Sequence, residues 1–254
     1  MTDSTARTCL VTGAGRGIGA GIAHLLSAQG HRVAITARSE DQLRDVAAEL
    51  PGPSLVVPVD ITAVGAVEEL YDGVEKEFGP VEILVANAGS ASSAPIHRVT
   101  DEDWQRTLDL NLTAPFRCIR RAVPSMKAAG YGRIVVIGSM LSRIGEPYTT
   151  AYAASKHGVL GVVRAAAAEL VKTGVTVNAV CPAYVDTPMT DGTVQMMART
   201  TSLTVAQARE LLENKQPIGR LITVDEVVEA VRFCIADGAV TGQAINVDGG
   251  LAQS

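Results

Sequence analysis

The sequence predicts a single-domain, doubly wound α/β fold on a parallel sheet of about seven strands. Short β-rich segments alternate with helical patterns almost from end to end of the 254 residues. Most of those segments are continuously apolar rather than alternating, as expected of strands covered on both faces. Apolar residues make up 47% of the chain and charged residues 19%, ample for one sizeable core. No repeat, low-complexity tract or linker divides residues 1–254.

The first strand, "TCLVTG" at 8–13, runs into a glycine-dense turn and a helix with the apolar stripe Ile18, Ile22 and Leu25. "RVAITAR" (32–38) is the second strand, and Ser39 with Gln42 has capping-box spacing before Leu43, Val46 and Leu50. "SLVVPVD" (54–60) is the third, followed by a helix with inner residues Val67, Leu70, Tyr71, Val74 and Phe78. After the fourth strand, "VEILVANAG" (81–89), residues 101–121 read as a helix with Trp104, Leu108 and Asn111 on one stripe. "GRIVVIGS" (132–139) is the fifth strand, "TAYAASKHGVLGVV" (150–163) a helix, and "VTVNAVCP" (175–182) the sixth strand. The seventh, "QAINVDGG" (243–250), follows a helix started by Thr223 with Glu226 and lined by Val227, Val231 and Ile235.

About forty residues before that last helix break the rhythm, with two short helical patterns and Met189, Met196 and Met197. An insertion of this length reads as a substrate lid, residues 186–219, that shapes substrate choice. The methionines suit either an apolar substrate contact or packing within the lid.

Composition removes several function classes. The net charge of −5 gives no electrostatic case for nucleic acid or an anionic membrane surface. Lys156 and Arg164 interrupt the longest apolar candidate for a membrane span. The start "MTDSTARTCLVTG" lacks the charged-then-apolar layout of a signal peptide. Cys9, Cys118, Cys181 and Cys234 stand far apart, which fits buried thiols in a reducing cytoplasm. The four histidines are scattered, so no metal site is expected.

Strand, glycine-rich turn and helix in residues 9–26 form a phosphate cradle. Glycines let the backbone approach a ligand closely, and the helix N-terminus offers free N–H groups and a positive dipole end. This arrangement at the first strand–turn–helix suits a dinucleotide pyrophosphate. An acidic residue ending the second strand would hold the ribose 2′-hydroxyl of NAD. Here Ala37 and Arg38 end it, and no carboxylate comes before Glu40. The Arg38 guanidinium suits a 2′-phosphate, with Arg16 of the turn close enough to join it, so NADP(H) is favoured over NAD(H).

Tyr152 and Lys156 lie one helical turn apart, on one face of an otherwise apolar segment. Alone, the pair reads as a surface tyrosine beside a solvated lysine. Asn111 carries a separate signal: a polar residue on a buried stripe needs a partner, and Pro115 cannot donate to its carbonyl. That leaves either a free acceptor or a satisfied core asparagine beside a Pro kink.

Taken together, "TGAGRGIG" (12–19), "NAG" (87–89), "NL" at Asn111, Ser139, "YAASK" (152–156) and "VNAVCPA" (177–183) resemble the short-chain dehydrogenases/reductases along nearly the whole chain. Ala86 stands where the family often has a second Asn, and Ala183 where it usually has Gly.

The resemblance implies a Rossmann-type fold, with Tyr152 as acid/base and Ser139 donating to the substrate carbonyl oxygen. Lys156 would lower the Tyr152 pKa and bind the nicotinamide ribose, and the Asn111 carbonyl would bind a water that completes a proton relay. It also implies cofactor contacts from Gly13, Gly15, Arg16, Gly17, Ile18 and Gly19 in the turn, besides Arg38. Asp60, Ile61, Asn87, Ala88 and Gly89 follow at the adenosine side. Tyr152, Lys156, Pro182, Ala183, Val185 and Thr187 would stand at the nicotinamide end. His157 points off the catalytic face and receives no role. The expected partner is a small carbonyl or alcohol substrate, and the expected assembly a homotetramer or homodimer with interface faces on the helices around 104–121 and 152–171.

Within the family, "PIGRLITVDEVVEAVRFC" (217–234) and "VTGQAINVDGG" (240–250) look most like reductases of 3-oxoacyl thioesters and polyketide intermediates. Relatives acting on cyclic ketones, steroids and sugars share those stretches. A non-catalytic NADP(H)-binding regulator would be expected to lose Ser139, Tyr152 or Lys156, and all three are present.

Overall fold

Seven parallel strands in the order β3-β2-β1-β4-β5-β6-β7 form the central sheet of the computed structural model, which describes residues 6–252. The leader expectation for residues 1–5, and the outer ends of the 1–254 domain, lie outside the described residues. The strands are β1 (Thr8–Thr12), β2 (Arg32–Ala37), β3 (Ser54–Pro58), β4 (Ile83–Ala86), β5 (Gly132–Ile137), β6 (Val175–Pro182) and β7 (Ala244–Val247). All seven sequence-predicted strands are present.

Helices α1 (Gly17–Ala28), α2 (Glu40–Glu49) and α9 (Val224–Ala236) cover one face. Helices α3 (Ala66–Phe78), α5 (Ala114–Ala129) and α6 (Thr150–Leu170) cover the other. Successive strand residues feed opposite layers: Leu10 packs with Tyr71 and Val74, while Cys9 and Val11 pack with Ile22 and Leu26. This two-sided burial explains why the strands read as unbroken apolar runs. The order reverses at β1, which pairs with β2 on one side and β4 on the other. The crevice beyond the carboxyl ends of β1 and β4 is therefore the ligand position of such a sheet.

The long insertion folds as α7 (Pro188–Thr200) and α8 (Val205–Lys215). Val194, Ala208, Leu212 and Leu221 give it a small core of its own, with Tyr184, Met197 and Leu203 packed against it. Thr204 with Gln207 and Thr223 with Glu226 form complete capping boxes at the starts of α8 and α9.

Three helical details differ from expectation. The buried stripe of α1 is Gly19, Ile22, Ala23 and Leu26, with Ile18 and Leu25 half-buried, because glycine supplies the closest packing. Residues 101–121 are helical without a break, as expected, but α4 (Asp101–Leu108) passes through a π-helical turn (Asp109–Thr113) before α5. Its buried positions are Thr107 and Asn111, whereas Trp104 and Leu108 are half-buried. At α2, Ser39 Oγ accepts from Gln42 N at 3.4 Å, but the Gln42 side chain lies against Gly15.

Candidate active site

The glycine turn starts from Thr12 at the end of β1. Gly13 and Gly17 take positive φ, at 65° and 57°, and allow the chain to fold back into α1. Arg16 at the N-cap is extended and makes no side-chain cap, so no side chain occupies the first amides of α1. A Cβ on Gly19 would overlap the Gly13 carbonyl and the Asn87 amide, which ties the glycine to close packing of helix on turn.

Asn87 and Ala88, just past β4, brace that turn. Asn87 Nδ2 donates to the carbonyls of Thr12 and Gly13, each at 3.0 Å. The backbone N–H groups of Asn87 and Ala88 both donate to Thr12 Oγ1, also at 3.0 Å. Thr12 is a residue that sequence reasoning missed: it stands inside "TGAGRGIG", yet a threonine ending a strand carries no signal of two amide bonds to a distant loop. Gly89 lies deeper, where an added Cβ would meet Asn111 Oδ1 at 2.8 Å and Lys156 Nζ at 3.7 Å.

On the β2–β3 side, Arg16 and Arg38 are exposed, and neither guanidinium makes a hydrogen bond or ion pair among the described residues. Asp60, beyond β3, accepts from Thr62 N at 3.0 Å and Thr62 Oγ1 at 2.7 Å. Those bonds hold its carboxyl below the ordinary range, and the Arg38 charge adds to the effect. Ile61 beside it is buried.

Ser139, Tyr152, Lys156 and Asn111 converge where β5 and α6 meet the crevice. Ser139 Oγ accepts from Leu141 N at 3.1 Å, and Ser139 N donates to Ser142 Oγ at 3.2 Å, which fixes the hydroxyl in a short 3₁₀ turn. The hydroxyl is near enough to the Tyr152 phenol to favour its ionised form. Lys156 is buried, donates to Ile137 O at 2.8 Å, and lies 5.6 Å from the Tyr152 ring centre.

The expected lowering of the Tyr152 pKa does not occur in the protein itself. Burial pushes the phenol up to about 12, and the Ser139 hydroxyl offsets only part of that. Burial also brings Lys156 down to about 8, so the cation that was to stabilise a phenolate is itself disfavoured.

Asn111 is buried in the π-helical turn, and its side chain is satisfied. Oδ1 accepts from Ser90 N at 3.1 Å, and Nδ2 donates to Ser90 O at 3.0 Å and Thr107 O at 3.1 Å. The side chain is thus a structural brace between α4 and the loop after β4.

Beyond β6, Ala183 N donates to Val247 O at 3.1 Å and Val185 bridges to Ile222. Pro182 ends the strand, and Thr187 precedes α7, its hydroxyl donating to Val185 O and its methyl 3.3 Å from where a Gly17 Cβ would be. The glycine turn and the start of the insertion are therefore neighbours. His157 is exposed and its Nδ1 pairs with Ala153 O. Met197 packs in the insertion's own core, while Met189 and Met196 are exposed.

Comparisons with known proteins show the family and the fold. A model of the family described as short chain dehydrogenase matches residues 7–198. A putative ketoacyl reductase of Streptomyces coelicolor is 38% identical, the match covering 99% of each chain. Cis-4-hydroxycyclohexanecarboxylate dehydrogenase of Sinomonas cyclohexanicum is 37% identical, over 96% of each. The crystal structure of a single-substitution form of actinorhodin polyketide ketoreductase with NADPH superposes with a TM-score of 0.95 at 37% identity, covering 100% of both chains.

Proposed function

The chain belongs to the short-chain dehydrogenase/reductase family, and on that premise we propose that it interconverts a ketone and a secondary alcohol with NADP(H). The ketone is a 3-oxoacyl thioester or a polyketide-like carbonyl. The observation that carries this reading is the meeting of Ser139, Tyr152 and Lys156 beside a glycine cradle whose helix N-terminus has no side-chain cap.

The cradle fits a dinucleotide. Gly13, Gly15, Gly17, Ile18 and Gly19 would hold the pyrophosphate, and the exposed Arg16 and Arg38 a 2′-phosphate. Asp60, Ile61, Asn87, Ala88 and Gly89 would serve the adenosine side, and Pro182, Ala183, Val185 and Thr187 the carboxamide end. NADPH, when bound, supplies the hydride for the carbonyl carbon. The chain supplies everything else. With its pKa near 12, Tyr152 is protonated at neutral pH and gives that proton to the carbonyl oxygen. Ser139 donates to the same oxygen as negative charge builds there. Lys156 holds the nicotinamide ribose and, through water at the Asn111 carbonyl, returns a proton to Tyr152.

Purified protein assayed with NADPH and NADH against acetoacetyl-CoA, a decalone and simple cyclic ketones should reduce the thioester, faster with NADPH at equal low concentration. Tyr152→Phe should abolish turnover and leave NADPH binding nearly intact. Ser139→Ala, losing one oxyanion donor, should cost about 10²-fold in kcat. Activity on cyclic ketones with none on thioesters would select the second reading, favoured by the likeness to a cyclohexane-ring dehydrogenase. Unchanged turnover by Tyr152→Phe would reject the mechanism and leave room for a non-catalytic NADP(H)-binding regulator.

The same reading includes a homotetramer or homodimer in the cytoplasm, with residues 186–219 as the substrate lid of a single 1–254 domain. Exposed Phe116 on α5 and Val171 at the end of α6 support the association, and four buried free cysteines support a reducing compartment. Among the described residues no helix is long and apolar enough to cross a membrane.

A further inference from the structure

One carboxylate joins its own loop to two segments that stand 38 and 69 residues from it in sequence. Glu146 lies in the loop between Ser139 and Tyr152, Tyr184 just beyond β6, and Lys215 at the last position of α8. The Tyr184 hydroxyl lies 2.9 and 2.7 Å from the two carboxylate oxygens and donates to that group. The Lys215 ammonium bonds the same carboxylate and lies 5.8 Å from the Tyr184 ring centre. The Glu146 side chain keeps only 18% exposure, so this pair is screened less than an ordinary surface pair.

Tyr184 connects that knot to the chemistry. Its ring packs against the small core of α7 and α8, and its carbonyl accepts from Ile222 N at 2.9 Å and from buried Gln216 Nε2 at 3.2 Å. Its phenol is held far above the ordinary range by burial first and Glu146 next, with Tyr152 close enough to contribute. Tyr184 follows the carboxyl end of β6, which pairs with β5 at Ile137 and Val180, so it stands at the sheet edge that carries Ser139, and Glu146 fixes where it stands. The loop bearing Glu146 is itself tied down: Thr149 Oγ1 donates to Glu146 O at 2.7 Å, and Ala94 N to Tyr148 O at 2.8 Å.

We propose that Glu146 is a specificity-determining residue, holding Tyr184 and the end of α8 as a fixed wall of the carbonyl site that favours slender ketones over fused-ring ones. This rests on the ketone-reduction reading, because the wall is defined by its place at the sheet edge that carries Ser139. Neither Glu146, Tyr184 nor Lys215 touches the hydrogen exchanged in the reaction; they sort what reaches it.

The test is a substrate ratio read beside a structural probe. For wild type, Glu146→Gln and Glu146→Ala, kcat/KM is measured for acetoacetyl-CoA and for trans-1-decalone with NADPH. The decalone-to-thioester ratio should rise in that order, by about tenfold for Glu146→Ala, with the KM for NADPH unchanged. Hydrogen exchange of residues 205–215 should quicken in the same order while α9 keeps its protection. Lys215→Met carries the test without touching the loop, should Glu146→Ala fail to fold. An unchanged ratio despite faster exchange overturns the sorting role, and unchanged exchange overturns the wall. Wild type that reduces neither ketone would instead overturn the proposed function, with the exchange arm still deciding whether Glu146 holds α8.

Discussion

Tyr152 and Lys156 share a helix face, and the simplest charge argument has the ammonium drawing the phenol pKa down. Burial wins instead, with the phenol near 12 and the ammonium near 8. The sequence shows spacing, but not how much water each group loses, so the pair was legible and its electrostatics were not. The lowered Lys156 pKa has a kinetic consequence. Since kcat/KM for NADPH reports the free enzyme, its pH profile should be level in acid and fall through an inflection near 8 as Lys156 loses its proton. Lys156→Arg should remove that inflection, and a wild-type profile level from pH 7 to 9 would contradict the shift. Stability follows the same shift. Below pH 8 lysine is charged in both states and the full burial cost applies; between about 8 and the unfolded value of 10.5 only the unfolded chain keeps the proton. The Lys156 contribution to native stability therefore rises with pH across that window. The buried thiols of Cys9, Cys118, Cys181 and Cys234, all pushed above their ordinary 9.0, contribute the opposite slope in its upper part. The cysteines are common to wild type and Lys156→Met, so the difference between their thermal melts should shift in favour of the wild type as pH rises through that window.

Among the elements, strands were the most legible, because burial on both faces leaves an apolar run that hydropathy reads directly. Helix α1 was misread by one position, since Gly19 makes its closest contact and glycine carries no hydropathy signal. The same blindness hid Thr12, and it hid Glu146, whose partners come from distant segments. Asn111 was found through its polarity on an apolar stripe and through Pro115, but the π-helical turn holding it has no mark in composition. Glycines now separate into two kinds with opposite expectations. Gly19→Ala would push a Cβ into the Gly13 carbonyl and the Asn87 amide, groups already hydrogen-bonded to each other. It should lose about 1–3 kcal/mol and weaken NADPH binding. Gly73 within α3 has open space around its missing Cβ, so Gly73→Ala should gain about 0.5–1 kcal/mol. Urea melts and a fluorescence titration with NADPH read both, and equal effects from the two substitutions would show that turn packing is not what Gly19 serves.

For the molecule as a whole, one chain holds Ser139, Tyr152, Lys156 and Asn111, so association is not required to assemble the proposed catalytic group. Its expected benefit is to bury apolar surface that the folded chain leaves in water. Phe116 keeps 43% of its surface exposed on α5, with the Arg120 guanidinium 5.5 Å from its ring centre. The outer face of α6 nearby offers exposed Gly161, Ala165 and Ala168, small side chains that permit close helix approach. A charge placed at Phe116 would have to be desolvated in any interface built there. Phe116→Asp should therefore lower the particle mass measured by light scattering after gel filtration, from a tetramer or dimer toward a smaller species. Because the residue lies on a helix exterior, the circular-dichroism spectrum should stay that of wild type. The monomeric form should keep NADPH binding, since the glycine cradle and its Asn87 brace belong to one chain. Wild-type mass after Phe116→Asp would move the interface off α5, and a monomeric wild type would remove association from the reading altogether.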